Sequence, residues 1–307
     1  MSFFTATSAI AKSALQVYIL AGQSNMVGHG VVEGKDKPGT LEYCITHGDK
    51  EKYAFLTDIK GRITVQEDVW IYFENQGGDT LSGNLTTGYG LKAGFVGLEL
   101  SFGEQVQKQE GKKQQILLIK TAWGGKSLAK DFRPPSAGGK TGHYYKEIVK
   151  ITNQVLNNLK KHFPKYDEKS GYEIAGLAWH QGWNDRVNKK FTAEYTSNLE
   201  HLIKDLRKEF KTDFPVVVAT TGMPSKRDAI AGKLNITHPI EKAQLAIADY
   251  KRFPEFKGNV VVVDTKAFIK DIKKSPVPNG NQHYHWNKSA EIYLDIGFAM
   301  AKEFAKF

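Results

Sequence analysis

A three-layer α/β fold with a parallel central sheet is the class this sequence predicts, on three observations. Five apolar, β-branched runs are too short for helices and nearly continuous in hydrophobicity, as buried parallel strands are. Helical patterns alternate with them along the chain, the signature of successive βα units. Gly, Pro and Ser punctuation falls at the carboxyl ends of the runs, in G-Q-S-N, W-G-G-K-S, Q-G-W-N-D and T-G-M-P-S. In an open α/β sheet that edge is where ligands bind.

Taken in order, the strands are expected at 17–22, 115–121, 174–180, 215–221 and 259–264, which makes a parallel five-stranded sheet. The helical patterns lie at about 97–109, 144–162, 192–210 and 239–251, and a last helix runs from about 289 to 306. Segment 28–94 is the exception: it is glycine-rich and aromatic, with Asp68, Trp70, Tyr72 and Phe73, and has no sustained helical period. At that length it is no ordinary loop. It reads as an insertion after the first strand, carrying a small hairpin that walls one side of the cleft. The expected organisation is a single domain over 15–307 with this insertion, preceded by an N-terminal extension at 1–14.

Composition narrows the function classes. A chain of 307 residues with 40% hydrophobic and 11% aromatic content suits a globular enzyme with a large core. The single cysteine, Cys44, has no partner for an intramolecular disulfide or a Cys-based metal site. His, Asp and Glu do not fall at metal-ligand spacings, so no metal or other cofactor is expected. The net charge of +10 is scattered through lysine-rich helices rather than gathered in a basic stripe with aromatics between, which argues against nucleic acid as a partner. No run approaches the roughly 18 apolar residues of a membrane span, and the first 15 residues are too polar for a signal h-region. The N-terminus alone therefore suggests a mature or a cytosolic chain, whereas a polysaccharide-directed activity would place the protein outside the cytoplasm, secreted or periplasmic.

The stretch V-Y-I-L-A-G-Q-S-N-M-V-G at 17–28 puts Ser24 on the turn from the first strand into a helix. A serine there is displayed above the sheet, with helix-side N–H groups close by. Standing alone it would be read as a helix N-cap. The other strand ends add Gly124 and Gly125, then Gln181, Gly182 and Asn184, and a loop before the last helix adds His285. That set contains what acyl transfer needs. A serine hydroxyl is a poor nucleophile until a base takes its proton, and histidine suits that task near neutral pH. The oxyanion needs donors already aimed at it, each typically worth about 3 kcal/mol. Ser24 N–H, the N–H groups of Gly124 and Gly125, and the side-chain amide of Asn184 or Gln181 are the candidates.

These blocks carry a resemblance. G-Q-S-N-M at 22–26, K-T-A-W-G-G-K-S-L at 120–128, K-D-F-R-P-P-S-A-G-G at 130–139, W-H-Q-G-W-N-D at 179–185 and H-W-N-K-S-A-E-I-Y at 285–293 resemble the SGNH hydrolase superfamily. More closely they resemble its sialate O-acetylesterase group, similar to carbohydrate esterase family six. The resemblance implies a flavodoxin-like α/β/α fold, Ser24 as nucleophile, His285 as base, and Ser24 N–H, a glycine of the 124–125 pair and Asn184 as oxyanion donors. Two positions depart from the pattern. Trp183 stands where many relatives have Glu, and Gln282 stands where an Asp usually precedes the catalytic histidine by three residues. The third triad member is therefore open between a carbonyl and a carboxylate from elsewhere, such as Asp185 or Asp264.

Several neighbours admit a structural reading beside the functional one. His283 and His180 rival His285, although the register to W-N-K-S-A-E favours His285, and His180 ends a strand where a core histidine is usual. Trp123, Trp183 and Trp286 each flank a block and suit either sugar stacking or core packing. Gln23, Asn25 and Arg133 are candidates for substrate contact, with an ion pair to Asp131 or another structural acid the alternative for Arg133. Glu99 reads as a structural carboxylate. The expected activity is a serine carbohydrate O-acetylesterase acting through an acetyl-enzyme on acetylxylan-like glycans or O-acetyl sialic acid. The alternatives are a non-catalytic carbohydrate-binding module on the same fold and a lipase- or thioesterase-like esterase.

Overall fold

A computed structural model describes residues 13–111, 114–224, 228, 232, 236–279 and 282–307; most of the N-terminal extension expected at 1–14 lies outside them. The five predicted strands are present, as β1 (Leu15–Gly22), β6 (Ile116–Ala122), β7 (Tyr172–His180), β8 (Val216–Ala219) and β9 (Val260–Val263). They pair in parallel in the order β6-β1-β7-β8-β9.

The sheet is larger than the five strands expected. Segment 28–94 supplies β3 (Gln66–Glu74) and β4 (Thr80–Leu85), which bring the sheet to seven strands in the order β4-β3-β6-β1-β7-β8-β9. β3 lies parallel to β6, and β4 returns antiparallel as the edge. The cause is visible in β3 itself, where Val69 to Phe73 form five consecutive buried residues that close the open side of β6. The hairpin thus extends the main sheet rather than standing apart from it. Two short strands, β2 (Gly30–Val31) and β5 (Phe95–Val96), pair separately.

Helices cover both faces. The cluster around Tyr18, Leu20, Phe102, Tyr293 and Met300 buries one face under α4 (Glu99–Glu110) and α10 (Ala290–Phe304). Val17, Ile19 and Ala21 point the other way, into the cluster beneath α5 (His143–Leu156) and α8 (Lys189–Phe210). This alternation along β1 is the period-two signature of a strand with two cores. Two predicted helices are interrupted. The pattern at 144–162 breaks at Asn157–Asn158 before a short α6 (Leu159–His162), and that at 239–251 is α9 (Pro239–Leu245) followed by a 3-10 turn at Ala246–Ala248.

β1 is the centre of the sheet, with β6 on one side and β7 on the other, so the chain leaves β1 in opposite directions. The crevice above such a switch point is formed by the loops at the carboxyl ends of the flanking strands. A side chain at Gly22 would run into the carbonyl of His180 across the β1–β7 pair, so only glycine lets the strands stay this close where the Ser24 turn begins.

Candidate active site

Ser24 opens α1 (Ser24–Val27), a single buried turn directly after β1. Its neighbours on the turn bind protein rather than facing the crevice. Gln23 Oε1 accepts from Gly182 N (3.1 Å), Asn184 N (3.3 Å) and Gln181 Nε2 (3.3 Å), tying the turn to the loop after β7. Asn25 Nδ2 donates to the Tyr284 carbonyl (3.3 Å) and contacts Met223 Sδ (3.1 Å), while Tyr293 Oη donates to Asn25 Oδ1 (2.9 Å). The underside is pinned by Lys120, whose fully buried ammonium donates to Val27 O (2.7 Å), Tyr89 O (2.7 Å) and Glu99 Oε2 (2.8 Å). Burial pushes the Lys120 pKa down against the pull of Glu99. Glu99 is thus the structural carboxylate its sequence position suggests, and it also accepts from Gly97 N (2.8 Å).

The glycine pair after β6 and the loop after β7 meet above this turn. Gly124 stands beside Ser24: a Cβ built on it would lie 3.8 Å from Ser24 Cβ. Asn184 Nδ2 donates to the Gly125 carbonyl. Gln181, by contrast, turns its amide into the scaffold, where Nε2 donates to Lys126 O (2.9 Å) and Asp185 Oδ2 (2.6 Å) as well as to Gln23. Asp185 is buried and receives Leu128 N (2.8 Å) and Ala129 N (2.9 Å), holding the loop that follows Gly125; burial pushes its pKa up to about 6 against those hydrogen bonds. Asp264 is likewise engaged locally, by Lys266 N and Thr220 Oγ1.

His285 lies in the 3-10 segment His283–Lys288, where Trp286, Asn287 and Lys288 all adopt positive φ near 50–60°. Its Nδ1 is 3.2 Å from Gln282 Oε1, so the glutamine at the position where Asp is usual faces the ring. The other face of the ring is covered by His29, stacked at 3.6 Å between centroids with 15° between planes. His29 is a residue that sequence reasoning missed, because it sits outside every motif block and reaches His285 only through the fold. Burial, then the repulsion that a protonated ring would meet beside His29 and Lys288, pushes the His285 pKa down to about 3, and burial lowers the His29 pKa to about 4. His283 packs edge-on against Trp183 (5.6 Å), away from this stack. His180 is fully buried, and burial lowers its pKa to about 4 against the backbone of Ala219.

The remaining candidates divide. Trp123 is buried with Phe132 and Tyr144, and Trp286 is buried in the core cluster beside α10, so both are packing residues rather than sugar platforms. Trp183 stays half-buried at the crevice, between Tyr284 and the guanidinium of Arg186, which lies 4.6 Å from its ring. Arg133 forms the ion pair of its structural reading, with Glu194 (3.1 Å) as the acid, and bonds the carbonyls of Ala129, Ala137 and Gly138. It lines a cleft of about 580 Å³ with Lys190 and Phe191, apart from the residues around Ser24.

The doubly wound, three-layer fold has the SGNH-like α/β/α architecture that the sequence predicts. The chain belongs to the family of sialic acid-specific acetylesterases among the carbohydrate esterases, whose model matches residues 14–306, and it is a carboxylic ester hydrolase. It is similar to a probable carbohydrate esterase of Arabidopsis thaliana, with 25% identity over 288 residues, 93% of this chain and 89% of the relative. The X-ray structure of an Arabidopsis thaliana protein superposes with a TM-score of 0.58 at 20% identity, covering 95% of this chain and 98% of that one. A carbohydrate acetylesterase from Xanthomonas citri superposes with a TM-score of 0.50 at 11% identity, covering 94% of this chain and 55% of the other. Among the described residues no helix is long and apolar enough to cross a membrane.

Proposed function

We propose that this esterase is a serine O-acetylesterase of acetylated carbohydrate, with Ser24 as nucleophile and His285 as base. The observation that carries the reading is the convergence of three separate chain segments on one turn. Gly124 stands beside Ser24, Asn25 joins the turn to the carbonyl of Tyr284, and His285 follows Tyr284 directly. His285 Nδ1–H donates to Gln282 Oε1, which fixes the tautomer and leaves Nε2 unprotonated to accept the Ser24 proton. Ser24 Oγ then attacks the acetyl carbonyl. Its own N–H, the N–H of Gly124 and the second amide hydrogen of Asn184 serve the oxyanion. The sugar alcohol leaves with the proton from His285, and water repeats the cycle to release acetate.

In this reading Gln181 and Gln23 are positioning residues, because their polar atoms are committed to each other and to the loop that carries Asn184. Trp183 is the aromatic face offered to the sugar. The substrate class is O-acetylated glycan, either acetylxylan-like or O-acetyl sialic acid. Acetate release from acetylated xylan, O-acetyl sialic acid and p-nitrophenyl acetate against butyrate tests it. Acetyl-selective turnover on either glycan supports the reading; sugar binding without acetate release from any of these esters would instead mark a binding module.

A further inference from the structure

The N–H of Gly124, one of the oxyanion donors proposed above, is already engaged. Gln76 Oε1 accepts from it at 3.1 Å. Gln76 stands at the exposed tip of the β3–β4 hairpin, in the segment that adds two strands to the sheet. The tip backbone is fixed without it: Asn75 Oδ1 accepts from Gly77 N (2.9 Å) and Asp79 N (3.0 Å), and Asn75 N donates to Asp79 O (2.9 Å). The hairpin is also anchored through the β3–β6 pairing as far as Phe73 opposite Lys120. A brace from Gln76 to Gly124 is therefore redundant for the hairpin.

The contact places an amide carbonyl oxygen on an N–H that the serine-esterase reading assigns to the acyl oxygen. A Cβ on Gly124 would meet Gln76 Oε1 at 3.1 Å and Ser24 Cβ at 3.8 Å, so the nucleophile and the glutamine oxygen flank the same glycine. We infer that Gln76 is a resting occupant of the acyl pocket, a displaceable side chain that caps the Gly124 donor until the acetyl group replaces it. The cap keeps the donor paired while the site is empty, and each substrate must exchange its own oxygen for that of Gln76. The inference rests on the serine-esterase reading.

The test compares the parent with Gln76→Ala and Gln76→Glu in two readouts. One is kcat/KM on p-nitrophenyl acetate. The other is the rate at which a fluorophosphonate labels Ser24, a step in which Ser24 Oγ forms the P–O bond, fluoride leaves and the phosphoryl oxygen takes the oxyanion donors. Removing a neutral cap of ordinary hydrogen-bond strength should raise both rates about two- to tenfold in Gln76→Ala. Gln76→Glu, whose carboxylate holds an N–H more tightly, should slow both and recover as pH falls through the titration of that carboxylate. Equal or lower rates in Gln76→Ala, with an unchanged melting temperature, would overturn the inference while leaving the serine mechanism standing. Absence of labelling at Ser24 in the parent and in Gln76→Ala would instead overturn the mechanism on which it rests.

Discussion

Gln282 Oε1 lies 3.2 Å from Nδ1 of His285, three residues further along the chain, so a neutral amide takes the position from which a carboxylate usually orients a catalytic histidine. The two supports differ in what they do to charge. An amide fixes the ring and its tautomer, whereas a carboxylate also stabilises the imidazolium that forms when the base takes a proton. Buried under the stacked His29 ring and beside Lys288, His285 is held neutral, its pKa near 3, and burial lowers the His29 pKa to about 4 as well.

Gln282→Glu should raise the His285 pKa by on the order of one unit or more, since a carboxylate within hydrogen-bond reach favours the charged ring. A base works only when unprotonated. The variant should therefore begin to lose kcat/KM as pH falls toward about 4, where the parent, with its base near 3, still keeps most of it, and Gln282→Ala should lower kcat at every pH by releasing the ring. Superimposable pH profiles for the parent and Gln282→Glu would contradict the contact.

Asn25 couples the Ser24 turn to the His285 loop through the Tyr284 carbonyl, and accepts from the Tyr293 hydroxyl. Asn25→Ala should lower kcat about tenfold or more with little change in KM, because it removes alignment and leaves substrate contacts in place. An increase in KM at constant kcat would make Asn25 a binding residue instead.

His180 is 1% exposed, and its folded-state pKa is near 4 against 6.5 in the unfolded chain. A depressed pKa means that the unfolded state takes up the proton first. The stability held by the neutral ring is thus present above about pH 6.5 and is lost as pH falls toward 4, amounting to roughly 3 kcal/mol for a shift of this size. Melting temperatures measured from pH 7.5 to 4.5 should fall more steeply for the parent than for His180→Gln.

Lys120 and Glu99 form an ion pair in which both side chains are fully buried. Lys120→Met leaves the Glu99 carboxylate unpaired and should cost about 3–5 kcal/mol. Adding Glu99→Gln should recover a large part of the loss in urea unfolding, because the stranded charge is gone. The same pair of variants reports on the turn, since Lys120 also holds the Val27 carbonyl at its end.

The parallel sheet was legible because strands buried on both faces read as unbroken β-branched runs, as Val216 to Val218 and Val260 to Val263 do. β3 carries an equally apolar core, Val69 to Phe73, but its polar entry at Gln66 to Asp68 and the glycine-rich turn after it made it read as part of a separate hairpin insertion rather than as a strand of the main sheet. The glycine pair and Asn184 announced themselves by sitting at strand ends, where spacing carries meaning. Side-chain direction does not show in spacing. Trp123 and Trp183 each stand beside a block, yet the fold buries the first and leaves the second at the crevice. Gln181 shows the same limit, its amide drawn into the network of Gln23, Lys126 and Asp185. His29 and Gln76 come from the long segment between the first and second motif blocks, and only the sheet brings them to Ser24 and His285.

The most direct measurement is acetate release from an acetylated glycan by the parent, Ser24→Ala and His285→Ala, each shown to be folded by circular dichroism. The account predicts turnover in the parent and a loss of at least about a thousandfold in kcat in both variants. Turnover in Ser24→Ala at the parent's rate would contradict it, and the nucleophile would have to be sought elsewhere in the crevice.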